Sequence, residues 1–284
     1  MKLCCTSVML PRWTLDETFD QLATAGYDAV ELRCRYNPDD ESAEPAFWGR
    51  HLSDVSPDNI VDKAPAIRAA SERSGVRVAA LAPNVQLGQD DVIRKIFAGA
   101  VAIDLDCPPM VRIGAPRHDR TAPYMPQFLA ARSGFADLVE IAREYGVKVL
   151  YEIHVGTVAV SCSRTLELLR DLDSQHIGAI YDVPNMLRVG LEDSRMGMEI
   201  LGPYLAHCHI GNGVSVEDGI DEETGRSKWK WQFSDVREGV ADIAQIVGDL
   251  KSVGYGGCLS LEEFGPGDDA EKIASQGAWI RRWM

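Results

Sequence analysis

Four apolar runs in the second half of the chain end on side chains able to bind a cation or move a proton. They are Leu150-Tyr151-Glu152-Ile153-His154, Ile180-Tyr181-Asp182, His207-Cys208-His209 and Leu259-Ser260-Leu261-Glu262-Glu263. A carboxylate is costly to bury unless it is paired or bound to metal, so carboxylates at the ends of apolar strands ask for a partner. Three carboxylates and one imidazole make a hard, oxygen-rich donor set with a single nitrogen. That set suits Mn²⁺ first, also Mg²⁺, and admits Co²⁺ or Zn²⁺, while the thiolates of structural zinc are missing from it. Taken singly these residues are weak signals. Glu152 alone reads equally as a strand end facing water, and His207 and His209, two apart on one strand face, equally include a buried, hydrogen-bonded imidazole. Recurrence at the ends of four successive strands carries the reading that Glu152, Asp182, His209 and Glu262 gather round one divalent ion.

Such convergence needs a scaffold that brings strand ends together. The chain repeats one theme, a helix-like stretch, a Gly and then an apolar run: Ala25-Gly26 to Leu32, Ser74-Gly75 to Leu81, Tyr145-Gly146 to Glu152, and Val253-Gly254 to Glu262. Gly just past a helix supplies a left-handed C-cap, and an apolar run is a strand buried on both faces. Eight strands are expected near 2–7, 27–32, 76–81, 109–113, 147–152, 177–182, 205–210 and 258–262. Helix signals fill the gaps. Thr14-Leu15-Asp16-Glu17 has capping-box spacing, Ser56-Pro57-Asp58 sets a cap before a first-turn Pro, and Asp235 opens a run with Val236, Val240, Ile243, Ile246, Val247 and Leu250 in helical register. Alternating strands and helices predict parallel pairing and a single-domain (β/α)₈ TIM barrel over residues 1–284, with a doubly wound open sheet as the rival. No GxGxxG or GxxxxGK[ST] loop follows any strand, which weakens that rival. The longest connections, 33–55 and 211–234, follow the second and seventh strands and so belong to the C-terminal face, where barrels build their sites.

The bulk properties bound the class of function. With 284 residues, 45% hydrophobic and 25% charged, the chain can bury a large core. A net charge of −14 without a Lys/Arg-rich run argues against nucleic acid as a partner. No apolar run approaches the roughly 20 residues that span a bilayer, and Met1-Lys2-Leu3-Cys4-Cys5 runs straight into strand-like sequence, so a cytoplasmic location is expected. The seven cysteines form no CxxC pair, and Cys4, Cys5, Cys208 and Cys258 read as small buried hydrophobes.

The order Glu, Asp, His, Glu at the ends of strands five to eight resembles the xylose isomerase-like TIM barrel superfamily of sugar and sugar phosphate isomerases and epimerases. The likeness runs through Tyr151-Glu152-Ile153-His154-Val155-Gly156-Thr157, Tyr181-Asp182-Val183-Pro184-Asn185-Met186, Ala206-His207-Cys208-His209-Ile210 and Leu259-Ser260-Leu261-Glu262. Glu31 in Ala29-Val30-Glu31-Leu32, the segment Arg237 to Asp242 and Gly254-Tyr255-Gly256-Gly257 also look like the family, and the resemblance covers essentially the whole chain. It implies a metal on Glu152, Asp182, His209 and Glu262, with Glu152 and Glu262 also acting as acid and base. The ion would polarise a carbonyl while one glutamate removes the neighbouring proton. His154 and His207 then fall either beside the ligands and the substrate or into structural hydrogen bonds. Arg112 pairs either with an anionic substrate group or with a barrel carboxylate.

Two departures bear on the reaction. The family's ketose epimerases have a His three residues after the metal Asp, where this chain has Asn185, and an Arg shortly after the metal His, which Ile210-Gly211-Asn212-Gly213-Val214-Ser215 lacks. Asn185 can hydrogen-bond a substrate hydroxyl but takes up no proton near neutral pH. The expected activity is isomerisation or epimerisation of a small sugar, sugar phosphate or related polyhydroxy carbonyl compound. A dehydratase of a keto-polyol, inosose- or dehydroshikimate-like, is the runner-up on the same scaffold. An apurinic endonuclease would need more imidazoles than the six present, and a non-catalytic binding module is the remaining alternative. Lys228, Trp229, Lys230 and Trp231 in the loop after strand seven either cover a bound sugar or pack a surface loop, the second being preferred. The sequence is compatible with a homo-oligomer.

Overall fold

The computed structural model describes residues 1–40, 42–190 and 192–284. Eight strands close into a parallel barrel: β1 (Lys2–Thr6), β2 (Ala29–Cys34), β3 (Arg77–Pro83), β4 (Met110–Ile113), β5 (Val149–Glu152), β6 (Ile177–Asp182), β7 (Leu205–Ile210) and, after a hairpin, β10 (Cys258–Leu261). Closure runs through β1, which pairs in parallel with β10 (Lys2↔Cys258) and with β2 (Cys4↔Ala29), so the open-sheet alternative is excluded. The expected strands sit within two residues of these bounds.

Helices α1 (Leu15–Thr24), α2 (Ile60–Ser74), α3 (Asp90–Ile103), α4 (Tyr124–Tyr145), α5 (Cys162–Leu169), α6 (Val183–Leu187), α7 (Ser194–Leu201), α8 (Ile243–Ser252) and α9 (Asp269–Arg281) fill the crossovers. The Thr14–Glu17 capping box forms as expected. Gly75 and Gly146 are left-handed C-caps at φ 75° and 65°, a conformation that costs any side chain.

Three local expectations are corrected. Residues 235–242 make turns rather than a helix. Gly239 sits at φ 147° and Asn212 binds both Ala241 N–H and Ala241 O, so α8 starts at Ile243 under an Asp242 cap. Helix α2 likewise begins at Ile60 rather than beside Pro57, because the Asn59 side chain accepts from the Ser56 N–H and residues 57–59 turn. Segment 211–234 is not an irregular loop. It is an antiparallel hairpin, β8 (Asn212–Ile220) with β9 (Ser227–Ser234), standing on the C-terminal face.

The barrel interior is stacked in layers by the two-residue period of the strands. At the floor lie Cys4, Ala29, Ala79 and Cys258, and above them Ala80, Leu150 and Ile180. Two residues further along β5 and β6, the same inward face carries Glu152 and Asp182. The apolar layers therefore plug the barrel from below and leave the ionisable groups at the mouth. Cys4, Cys5, Cys208 and Cys258 are free and buried, as their apolar contexts implied. No helix among the described residues is long and apolar enough to cross a membrane.

Candidate metal centre and cleft

Four strand ends bring Glu152, Asp182, His209 and Glu262 together, with one ligand-type atom from each lying within 4.8 Å of the others. The centre of the cluster is His209 Nδ1, which faces Asp182 Oδ2 at 3.0 Å and Glu152 Oε1 and Glu262 Oε2 at 3.4 Å each. All four residues are buried. Three carboxylates crowded on one nitrogen repel one another unless positive charge sits among them, and the donor chemistry fits a hard divalent cation.

The opposite edge of the His209 ring is held from behind. Its Nε2 lies 2.9 Å from Glu31 Oε2, on the inward face of β2. With Nε2–H donating to that carboxylate, Nδ1 is left as the lone-pair side facing the cluster, the arrangement in which a second carboxylate orients a metal-binding imidazole. Glu31 Oε2 also receives His207 Nε2 at 3.1 Å and the Ser260 hydroxyl at 3.2 Å. His207 is fully buried in this network and does not line the cleft, so it lies among the structural hydrogen bonds rather than within reach of a substrate. Sequence reasoning noted Glu31 as family-like but gave it no role in the site. Its signal, a carboxylate inside the apolar run Ala29-Val30-Glu31-Leu32, is the same one that singled out the ligands.

Asp182 is fixed by its own turn. It caps α6 by accepting the Asn185 N–H at 2.8 Å, and its other oxygen takes the Asn185 side-chain amide at 2.9 Å. The Asn185 side-chain oxygen Oδ1 accepts from Val155 N–H. Asn185 lines the cleft, yet its amide group is engaged in holding Asp182 and the loop after β5. Gly211 leaves β7 so close to β10 that a Cβ there would sit 2.2 Å from the Glu262 carbonyl oxygen. That close approach sets the separation of His209 from Glu262.

Burial and charge act unequally on the two glutamates. Desolvation disfavours the charged form of Glu152, but Arg112, donating to both its oxygens at 3.0 Å, and His209 outweigh this and hold it well below the usual carboxylate range. Among the described residues Glu262 has no guanidinium within ion-pair distance. Burial, with Asp182 and Glu152 nearby, pushes its carboxyl up despite His209. Burial opposes charge on His209 as well, but Glu31 and Glu262 raise it well above an ordinary imidazole. Protons and a cation compete for these atoms, so a bound divalent ion displaces the proton from Nδ1.

Above the cluster opens a cleft of about 880 Å³. Glu152, Glu262, Arg112, His154 and Asn185 line it, so among the sequence-derived site residues only the buried Asp182, His207 and His209 are set back from its wall. His154 is held by its Nδ1 contact with Val155 O at 2.8 Å. An arc of aromatic rings closes one side. Trp48 meets Phe264 (4.7 Å between centroids), Phe264 meets Phe233 (5.3 Å) and Phe233 meets Trp231 (6.2 Å), joining the loop after β2, the loop after β10 and the hairpin. Trp231 therefore lines the cleft, whereas Trp229, nearer the hairpin tip, is exposed to solvent.

A family model for xylose isomerase-like TIM barrels matches residues 19–283, and the chain belongs to that family. An uncharacterised protein of Methanocaldococcus jannaschii is 22% identical over 276 residues, covering 92% of this chain and 83% of that protein. Among solved structures, the 3-keto-D-glucoside 4-epimerase YcjR from E. coli superposes with a TM-score of 0.73 at 14% identity, covering 99% of both chains. The probable 3-DHS dehydratase AsbF from Bacillus anthracis gives 0.73 at 15%, covering 99% of both. The D-allulose 3-epimerase from Methylomonas sp. gives 0.70 at 13%, covering 100% of this chain and 98% of that one. At such identities these structures share the fold.

Proposed function

We propose that this protein is a divalent-metal-dependent isomerase or epimerase of a small sugar, sugar phosphate or related polyhydroxy carbonyl compound, with Mn²⁺ the best-suited ion. The observation that carries the reading is the four-residue cluster at the strand ends, opening into a cleft of sugar-accommodating size. Glu152, Asp182, His209 and Glu262 would hold the ion, which when bound would supply Lewis-acid polarisation of a carbonyl and its neighbouring hydroxyl. The protein supplies the rest. Glu152 ends β5 and Glu262 directly follows β10, two strands separated in the barrel order by β6 and β7, and both residues line the cleft. Each has a second oxygen beyond the one offered to the cation. One takes the proton from the carbon next to the carbonyl and the other returns a proton from the other face. Glu31 keeps His209 in the ligating tautomer, Asn185 holds the Asp182 carboxylate in plane, and the aromatic arc shields the reacting carbon from water.

The test is to incubate the Mn²⁺-loaded protein with a panel of ketoses, inososes and their phosphates in D₂O and follow them by NMR. Entry of solvent deuterium next to the carbonyl without loss of water is the expected result. Release of water from the same compounds would reassign the reaction as a dehydration. Absence of exchange in every compound, together with absence of a stoichiometric divalent ion, would overturn the proposal.

A further inference from the structure

The cleft has a second wall that the proton chemistry does not use. Four arginines line it, Arg35, Arg112, Arg117 and Arg188, in a chain whose net charge is −14. Arg112 is neutralised by Glu152. Among the described residues, Arg35, Arg117 and Arg188 have no carboxylate within ion-pair distance.

Arg35 is the most constrained of the three. It follows β2 directly, and its Nε donates to Ala82 O at 3.1 Å, while its two terminal nitrogens make no hydrogen bond among the described residues. Its guanidinium lies 5.7 Å from the Trp48 ring centroid. The loop that carries both is tied down by Arg33, whose buried guanidinium donates to Arg35 O at 3.2 Å and Gly49 O at 3.0 Å. Burial, with Arg112 and Arg33 close by, depresses Arg35 from 12.5 to about 9, so its charge is held at a cost that an incoming anion would remove. Arg117 is set on the loop after β4, bridged to Thr157, and Arg188 on the end of α6.

The charges decide what this wall is for. Counting Glu31, Glu152, Asp182 and Glu262 against a divalent ion and Arg112 leaves one negative charge in the inner cluster. The three remaining arginines bring the cleft to a net charge of plus two. A neutral sugar would leave the half-buried Arg35 uncompensated and the exposed Arg117 and Arg188 unused at the rim, whereas an anionic group takes paired N–H donors in the geometry guanidinium provides. Resting on the reading of this cleft as a metal-dependent polyhydroxy carbonyl site, we propose that the substrate carries a carboxylate or phosphate at the end remote from the reacting carbonyl, seated on Arg35 with Arg117 and Arg188 at the rim.

The test compares matched ligands on the Mn²⁺-loaded enzyme by titration calorimetry: D-fructose, D-fructose 6-phosphate and D-fructuronate, with inorganic phosphate as a carbonyl-free probe. Charged ligands should bind about ten- to a hundred-fold more tightly than D-fructose, the range expected for charge-assisted bonds. The two charged sugars separate the phosphate source from the carboxylate source. Arg35→Gln should bring the charged-to-neutral affinity ratio towards one, the exposed variants Arg117→Gln and Arg188→Gln should each lower it by a smaller factor, and Arg282→Gln, far from the cleft, should leave it unchanged. Equal affinity for charged and neutral ligands, a ratio insensitive to all three cleft arginines, or failure of every charged ligand to bind would overturn the proposal. Loss of metal with retained phosphate binding would instead count against the metal reading alone.

Discussion

The two halves of the barrel mouth are built by different rules. Around β5, β6, β7 and β10 the cluster residues stand at strand ends and are held by short hydrogen bonds, from Glu31, reaching in from β2, through His209 to Asp182 and to Asn185 in the first turn of α6. On the side of β2, β3 and β4 the cations Arg35 and Arg117 come from loops, steadied by backbone carbonyls and an aromatic ring. Rigid strand ends suit a centre that must match an ion to tenths of an ångström, and loops suit a wall that selects among substrates. Under the proposed function, chemistry and specificity would be carried by separate parts of one fold.

If the halves divide the work in this way, substitutions in each should fail differently. The largest effect belongs to the strand side. Glu262→Gln should lower the rate of solvent deuterium exchange by about 10²–10⁴-fold, the usual worth of a positioned acid or base. A variant with unimpaired exchange would remove Glu262 from the chemistry. Next comes Glu31→Gln, which touches neither the cleft nor the reacting carbon. Loss of the carboxylate behind His209 should weaken Mn²⁺ affinity by about 10–100-fold, read by metal titration. Wild-type affinity would mean that the imidazole is oriented by packing alone.

Smaller effects concern the frame. Gly211→Ala forces a methyl against the Glu262 carbonyl and should cost about 1–3 kcal/mol in urea denaturation. Gly248→Ala, in α8 with open space around it, should instead gain roughly 0.5–1 kcal/mol. Equal responses would contradict the close approach of β7 and β10. The last effect belongs to the loop side and is read against pH. His51 lies buried in the loop after β2, and burial together with Arg33 lowers it from 6.5 to about 3. Folded His51 stays neutral while the unfolded chain takes up a proton. Its contribution is therefore complete above pH 6.5 and drains away as the pH falls towards 3, by at most about 1.4 kcal/mol per unit. Replacing His51 with Gln should flatten that part of the stability profile. An unchanged slope would place the acid sensitivity elsewhere.

The same division explains what the sequence disclosed. The eight strands were legible because runs buried on both faces are apolar and several begin just after a Gly-capped helix, and the candidate ligands because ionisable residues interrupt such runs at their ends. Glu31 carries that signal too, but two residues into its run rather than at the end of it. The hairpin left a trace in Lys228-Trp229-Lys230-Trp231-Gln232-Phe233, whose period of two is that of a strand, with Thr224-Gly225 at the turn. Helical periodicity misled at Asp235 because Val236 and Val240 fall in register by chance, while Gly239 at positive φ breaks the chain between them and α8. The arginine wall was not legible. Arg35, Arg117 and Arg188 lie in loops, where no periodicity constrains direction, and only the folded chain turns them towards one cavity.

The central claim is that Glu152, Asp182, His209 and Glu262 hold one divalent ion. The most direct measurement is the stoichiometry of Mn²⁺ bound to the purified chain and to its Asp182→Asn variant, read by equilibrium dialysis with elemental analysis. The account predicts one ion per chain in the wild type and loss of that ion in a variant that remains folded by circular dichroism. Either no bound ion in the wild type or undiminished binding in Asp182→Asn would contradict it.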